Sequence, residues 1–544
     1  MILPYPYVRT SKRCKSVSKQ ANLVELRGFG FEKQGKKTAI GLPSKSATPQ
    51  RNLLAGLETS SGRLSAGRFK PDIGNERKDQ NFSIKFEYFS PITPFITPAI
   101  IPRILSLSKQ LIKLNTTKSN NTMNKKMNSR RDFLKKSLIA AAGVTIIPRH
   151  VMGGNGYMAP SDQLTKAIIG VGGMGKGHIN YEGTRLLAVC DVDKNHLKNT
   201  LKMVSSEVQG YHDFREVLQR PDIDIVHIAT PPHWHGIMSV MAAQAGKDVW
   251  CEKPMTRTIG EGKRVVEAIN ATGKMFRLNT WFRFKDNFYG LGTPVKPLKK
   301  AVESGVLGWP LKVTISGVTG FNWKFYWVGK TNLKPQPVPE QLDYDLWLGP
   351  ASKKPYTAHR VHQTFRGYWD YDGGGLGDMG QHYIDPVQYF LGKDNISPVK
   401  VEVDAPQQHD DAIGTWRKIT YTYDDGCQII LDGENKDKNA AYIEGPNGKI
   451  FNGFKSDIPN LQALIDTMPD PEPQITTFSE SVRTRKKFAL NEENGHRSAT
   501  IVNMGVIALR LGRTLEFDPV NQVFINDDEA NRLINQPMRG EWQI

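Results

Sequence analysis

The chain has little cysteine, no long apolar run and, over most of its length, no excess of charge of either sign. Four cysteines in 544 residues (Cys14, Cys190, Cys251, Cys427) are too few and too scattered for a disulfide framework or a cysteine-rich zinc site. No run approaches the ~18–20 apolar residues that a membrane-spanning helix needs. The most apolar early stretch, Ser90 to Leu114, is broken by Pro91, Pro94, Pro98 and Pro102. The formal net charge is +19, but it is unevenly placed. Residues 1–126 hold 23 Lys+Arg against 7 Asp+Glu, and residues 127–161 hold 5 against 1. Residues 162–544 hold 45 against 46, so the body of the chain stands at −1. No nucleic-acid-binding face is expected on it. Hydrophobic residues at 39% and aromatics at 9% leave room for a sizeable core and exclude wholesale disorder.

Residues 1–126 show no sustained period and are rich in Ser, Lys, Arg, Asn and Pro. They are expected to be a disordered basic arm or a reading frame extended beyond its true start; a nucleic-acid-binding tail is the functional alternative. At Met127 a targeting signal begins: Ser129-Arg130-Arg131-Asp132-Phe133-Leu134-Lys135, then an apolar stretch of 11 residues, then Pro148-Arg149. S-R-R-D-F-L-K matches the twin-arginine export consensus; a short amphipathic helix is the structural alternative. Because export signals act from an amino terminus, translation is expected to start at Met123 or Met127. Cleavage is expected within 142–160, and with no Cys before Cys190 a lipid anchor is not indicated. These features lead to the expectation of a bacterial, periplasmic protein that engages the twin-arginine machinery and has no stable membrane anchor.

From Asp162 strands and helices alternate. A short apolar run, Thr165–Gly170, leads into Gly170-Val171-Gly172-Gly173-Met174-Gly175, a G-x-G-x-x-G opening a helix. Such glycines allow a tight turn, backbone approach to a pyrophosphate, and helix packing on the strand. A second strand, Arg185–Val189, ends at Asp191, where an acid bonds a ribose 2′-hydroxyl and repels a 2′-phosphate. NAD is therefore expected over NADP, with Lys194 softening the preference. Further strands at Ile223–Ala229, Asp248–Cys251 and Lys274–Asn279 give five of an expected six parallel strands, with a helix at Asp213–Gln219. Ligands of a doubly wound sheet sit at the carboxyl ends of its strands, where Thr230, Pro231, His235, Glu252 and Lys253 fall. After Phe284 the pattern changes to a helix at Lys296–Ser304, a strand at Leu311–Gly317, and two hairpins. Asp425-Gly426 joins Lys418–Tyr423 to Cys427–Leu431, and Asn447-Gly448 joins Ala441–Glu444 to Lys449–Phe451. Gln341–Pro350 is expected to be a loop with aromatic anchors, and Ala499–Gly512 a structural helix. The expected fold is α/β: a doubly wound Rossmann domain over 162–284, then an α+β domain over 285–544 with a large, open, mostly antiparallel sheet.

Gly373 to Gly377 opens a helix on which Asp378 and His382, four apart, share a face. A carboxylate and an imidazole so placed suit a proton relay; a helix-start acid and a structural histidine are the alternative. His233 and His235 form H-x-H, and His359 and His362 have no acidic neighbours in sequence, so no metal is expected.

With GVGGMG, AVCDVD, YHDFREVL, ATPPHWH, CEKP and GGGLGDMGQHYID in place, residues 162–544 resemble the glucose–fructose oxidoreductase / inositol dehydrogenase (Gfo/Idh/MocA) family. The resemblance implies hydride transfer between a tightly bound nicotinamide and a CH–OH group of a sugar, glycoside or cyclitol; a redox-neutral NAD-dependent glycosidase (oxidation, elimination, reduction) and a non-catalytic NAD-binding protein are the alternatives. It implies that Lys253 bonds the reacting hydroxyl, that His382 is the acid/base, and that Asp378 orients substrate or His382. It places His235 near the nicotinamide and implies a homo-oligomer, dimer or tetramer. Arg283, Tyr368, Trp369 and Trp281 are weaker candidates for lining a sugar site.

Overall fold

The computed structural model describes residues 162–544 except 182, 281, 282, 284–294, 320–326 and 436. The expectations for residues 1–126, for the twin-arginine segment and for Trp281 lie outside the described residues. Among those described, no helix is long and apolar enough to cross a membrane.

Six short strands form the first sheet: β1 Leu164–Ile169, β2 Thr184–Cys190, β3 Gln209–Tyr211, β4 Ile225–Ile228, β5 Asp248–Cys251 and β6 Phe276–Leu278. They pair in parallel in the order β3-β2-β1-β4-β5-β6. The central strands carry continuous apolar runs: Ala167, Ile168, Ile225, Val226 and Ile228 are wholly buried, as covering on both faces demands. Helices α1 Lys194–Leu201, α2 Phe214–Leu218, α3 His235–Gln244 and α4 Ile259–Thr272 cover it. Side-chain caps start three of them: Asp193 accepts from Asn195 and His196 N–H, Asp213 from Arg215 N–H, and Thr258 from Glu261 N–H. Chain order reverses between β1 and β4, which opens the ligand crevice at their carboxyl ends.

The second sheet has nine strands, β7 Lys312–Ser316, β8 Lys400–Asp404, β9 Lys418–Thr422, β10 Gln428–Asp432, β11 Ile443–Gly445, β12 Gly448–Phe451, β13 Lys455–Ser456, β14 Leu515–Asp518 and β15 Val523–Phe524, in the order β13-β12-β11-β7-β10-β9-β8-β14-β15. Only β7 and β10 run parallel; the other pairs are antiparallel. On β9, Ile419 and Tyr421 are buried while their neighbours are not, the alternation of a sheet covered on one face. Helices α5 Val295–Glu303, α7 Gly374–Phe390 and α8 Glu492–Leu511 share its core through Leu298, Leu376, Tyr383, Val387, Ile501 and Leu509. The later chain also returns to the first domain, where Phe478, Phe488, Leu490 and Trp542 join the core around β4 and β5.

Three expectations change. The three-residue β3 carries too little sequence for a period and was not anticipated. The glycine turn opens into a five-residue 3-10 helix, Met174–His178, rather than a full α-helix. Gln341–Pro350 contains a helix, α6 Tyr344–Leu348, because Asp343 accepts from Leu346 N–H at 2.9 Å and caps it.

Candidate active site

The crevice at the carboxyl edge of the first sheet is a cavity of about 630 Å³, within the range of cofactor and substrate sites. One end is built by the glycine turn. Gly170 has φ +86°, and a Cβ there would sit 2.7 Å from the carbonyl oxygen of Ala229, the residue that follows β4. A Cβ on Gly175 would collide with the Gly170 carbonyl, so the third glycine packs the turn and stays off the cavity wall. Gly172, Gly173 and Met174 line the cavity, and space beside Gly173 is open. Across the turn, Asp191 accepts from Val171 N–H at 2.9 Å and Asp193 N–H at 2.9 Å. A glycine-lined backbone beside an acid at the end of β2 fits a dinucleotide's pyrophosphate and ribose. Thr230 and Pro231 after β4, and Glu252 and Lys253 after β5, continue the same wall.

The far end joins the two domains. Lys253 Nζ donates to Asp378 Oδ1 at 2.9 Å and to its carbonyl at 2.5 Å. The same carboxylate accepts from Arg366 Nε at 2.8 Å and Trp327 Nε1 at 3.1 Å. Arg366 lies over the Trp327 ring, and Trp347 and Phe365 complete an aromatic wall. Asp378 therefore holds Lys253 on the wall of the cavity. Asp372 also lines the cavity. Burial raises its carboxyl; Arg366 pulls it down, Asp378 pushes it further up, and the net is about 7. Arg366 and Asp372 were missed in the sequence. Nothing in its spacing marks Arg366; the signal for Asp372 was an acid standing directly before the helix-opening glycines.

Behind Glu252 lies a buried polar network. Glu252 Oε1 is 2.9 Å from His178 Nε2 and accepts from Asn279 Nδ2 at 2.6 Å. His178 Nδ1 is 3.1 Å from His227 Nδ1 on β4. Burial alone would raise the Glu252 carboxyl, but the bond and charge of His178, with Lys253 and Asn279, hold it down at about 2. Glu252 thus faces the cavity as an anion.

Several expected site residues stand elsewhere. His235 is buried off the wall, its ring held between the carbonyls of Thr230 (2.8 Å) and Pro254 (2.6 Å), so it braces two loops of the site. Arg283 is fully buried, with two bonds to the Asp385 carboxylate at 2.7 and 2.9 Å and an ion pair to Asp394; it clamps α7 and is not among the described residues that line this cavity. Tyr368 bonds His359 Nδ1 at 2.6 Å, and Trp369 Nε1 donates to the His409 carbonyl at 2.9 Å; both are core residues. His382 lies one turn beyond Asp378, set back from the wall, with Nδ1 3.0 Å from Thr280 Oγ1. His362, without an acidic neighbour in sequence, is brought 3.7 Å from Asp193 and beside His196 at the ribose end of the cavity.

Comparisons with known proteins bear on the family. Residues 164–280 match the family model described as "Oxidoreductase family, NAD-binding Rossmann fold", and residues 291–544 match "Oxidoreductase family, C-terminal alpha/beta domain". A glycosyl hydrolase family 109 protein of Shewanella pealeana is 27% identical over 265 residues, 41% of this chain and 55% of its own. An inositol 2-dehydrogenase of Salmonella typhimurium is 30% identical over 155 residues, 28% of this chain and 44% of its own. The chain spans about half the length of the curated relatives it matches. A WlbA dehydrogenase from Bordetella pertussis, solved with NADH and UDP-GlcNAcA, aligns at TM-score 0.46 and 18% identity over 65% of this chain and 99% of its own. The chain belongs to the Gfo/Idh/MocA oxidoreductase family, with an NAD-binding Rossmann domain followed by the family's C-terminal alpha/beta domain.

Proposed function

We infer that the protein oxidises a CH–OH group of a sugar, glycoside or cyclitol. The observation that carries this reading is the Lys253–Asp378 ion pair, at 2.9 Å, on the wall of the same cavity as the glycine turn and Asp191. A bound NAD would supply the hydride acceptor for the carbinol carbon. Gly170, Gly172 and Gly173 would hold its pyrophosphate and Asp191 its ribose, which favours NAD over NADP. Lys253 meets the reacting hydroxyl and stabilises the developing alkoxide. Asp378 and Arg366 hold Lys253 in place. His382, one turn along α7 and set back from the wall beside Thr280, is the proton acceptor that the family resemblance implies. Trp327, Trp347 and Phe365 offer apolar faces to a pyranose ring.

The twin-arginine route carries folded proteins, so this reading has the cofactor loaded before export to the periplasm. With no free nicotinamide pool there, the cofactor stays bound and is recycled in the site or by a nearby acceptor. A homo-oligomer completes the reading.

The family 109 relative, together with the second cavity carboxyl, Asp372, supports a redox-neutral glycosidase as the alternative. There, oxidation, elimination of the glycosidic oxygen and return of the hydride leave the cofactor as it began. Incubating the purified protein with a panel of glycosides separates the two. Reduction of bound NAD with release of a ketosugar supports the dehydrogenase; free aglycone without net reduction supports the glycosidase. A protein that holds no NAD and does neither contradicts both.

A further inference from the structure

Asp372 has no part in the hydride step just described, yet its surroundings are built around it. It is 3% exposed and lines the main cavity together with Lys253 and Asp378. One carboxyl oxygen accepts from Gly373 N–H at 2.7 Å. A Cβ at Gly377 would collide with that oxygen, so the bare helix position leaves the carboxyl its place. Behind it lies a second cavity of about 10 Å³, about the room of one water, which Asp372 shares with Arg257 and Asn503. Arg257 Nε and Asn503 Nδ2 are buried donors with no hydrogen-bond partner among the described residues. Two orphaned donors and a carboxyl around such a space suit a held water. Asp372 therefore stands between the substrate cavity and an internal water position.

The two cavity carboxyls are differently placed. Asp378 is bonded by Lys253, Arg366 and Trp327. Asp372, with burial and Asp378 set against Arg366 and Lys253, titrates at about 7, where it both accepts and returns a proton.

We propose that Asp372 is a second proton-transferring group of the cleft, exchanging the C–H proton beside the ketone that oxidation of the substrate hydroxyl creates. In this step the C–H bond adjacent to the carbonyl breaks and its proton passes to an Asp372 oxygen. The electron pair forms the carbon–carbon double bond of an enolate, and the carbonyl pair moves to its oxygen, which faces the Lys253 ammonium. Return of a proton from Asp372, renewed through the water behind it, restores the ketone. No oxidant or reductant is consumed. The proposal rests on the reading of the protein as a carbohydrate dehydrogenase, because that reading places a ketone in the cavity.

The test supplies the ketone directly. The full chain, carrying reduced nicotinamide, is given a methyl glucopyranoside with a ketone at carbon three in D2O. Reoxidation of the cofactor is read by absorbance, and deuterium entry beside the ketone by NMR. The hydride step and the exchange are then seen separately, so failure of the parent reading is visible apart from failure of this one. Wild type should exchange faster than buffer alone. In Asp372→Asn the ratio of exchange to reoxidation should fall by about 10²–10⁴, and Asp372→Ser should behave alike. Exchange undiminished in both variants, or wild-type exchange no faster than buffer with a ketone that reoxidises the cofactor, overturns the proposal.

Discussion

At Lys253 the cost of burying a cation is offset by a carboxylate that is itself shared. The Lys253 side chain is 10% exposed and that of Asp378 4%, and Arg366 is bonded to the same oxygen. Removing one partner of a buried pair commonly costs about 3–5 kcal/mol, because the other is stranded. Here Arg366 remains, so Lys253→Met should lose less stability than that. Its reduction of bound NAD should nonetheless fall by roughly 10²–10³, as with loss of other groups that stabilise a developing oxyanion. Single-turnover absorbance together with a melting curve checks both parts. Asp191 can be tested on binding alone. A hydrogen bond to a charged group contributes about 1.5–3 kcal/mol, so Asp191→Ala should weaken NAD roughly 10- to 100-fold while NADP loses less, as calorimetry of the cofactor-free protein would measure. Lys253 and Asp191 were legible in sequence because each sits at a fixed place after a strand. Arg366 and Asp372 were not, because they reach the cleft from a 3-10 turn, His362–Gly367, and from a glycine helix start whose direction only packing decides. Arg283, Tyr368 and Trp369 carry the residue types of a sugar site, but Asp385, His359 and the His409 carbonyl had already engaged them inside the core.

At the scale of elements, α7 is where the two domains exchange chemistry. Its glycines are explained by what lies against them: Gly377 makes room for Asp372, and Gly380 packs on Val502 of α8. Gly377→Ala gains helix propensity, so an exposed position would be stabilised. Here the added methyl meets the Asp372 carboxyl, and overpacking should cost about 1–3 kcal/mol, read as a lower denaturation midpoint. A midpoint unchanged or raised would show that the carboxyl is free to move aside. Strands β1, β2, β4 and β5 were anticipated to within a residue or two because parallel strands covered on both faces are continuous apolar runs. The three residues of β3 have no such run. Helix α6 was concealed by its aromatics, though Asp343 at its start is a capping signal.

Over the whole molecule, buried histidines and buried carboxyls set the response to acid. Burial lowers His233 to about 3 and His496 to about 4, and lowers His227 as well. A base whose folded pKa is depressed leaves the unfolded chain as the better proton binder once pH drops below about 6.5. The share these histidines contribute is thus undiminished above pH 6.5 and lost as pH falls toward 4, by about 1.4 kcal/mol per pH unit for each. Glu252, held at about 2, adds a loss in the same direction between about pH 4.5 and 2. The buried carboxyls of Asp372, at about 7, and Asp385, at about 6, act in the opposite direction because the folded chain is there the better proton binder. From pH 6.5 to 4.5 the stability of His496→Gln should therefore change relative to wild type by one proton's share, in favour of the variant at the lower pH. Parallel profiles would mean that His496 is reached by water. Charge is likewise a property of place: the first 161 residues carry +20 and the remaining 383 carry −1, which together make the +19 of the chain. Residues 162–544 alone should show no salt-dependent retention on duplex DNA, whereas a basic face would give a steep salt slope.

The measurement closest to the central claim is the absorbance of the bound nicotinamide when the purified protein meets a panel of glycosides and cyclitols. The account predicts that at least one of them reduces the cofactor and leaves as a ketone lighter by two hydrogens. A protein that binds NAD, shows no reduction with any member of the panel and releases no aglycone would contradict it.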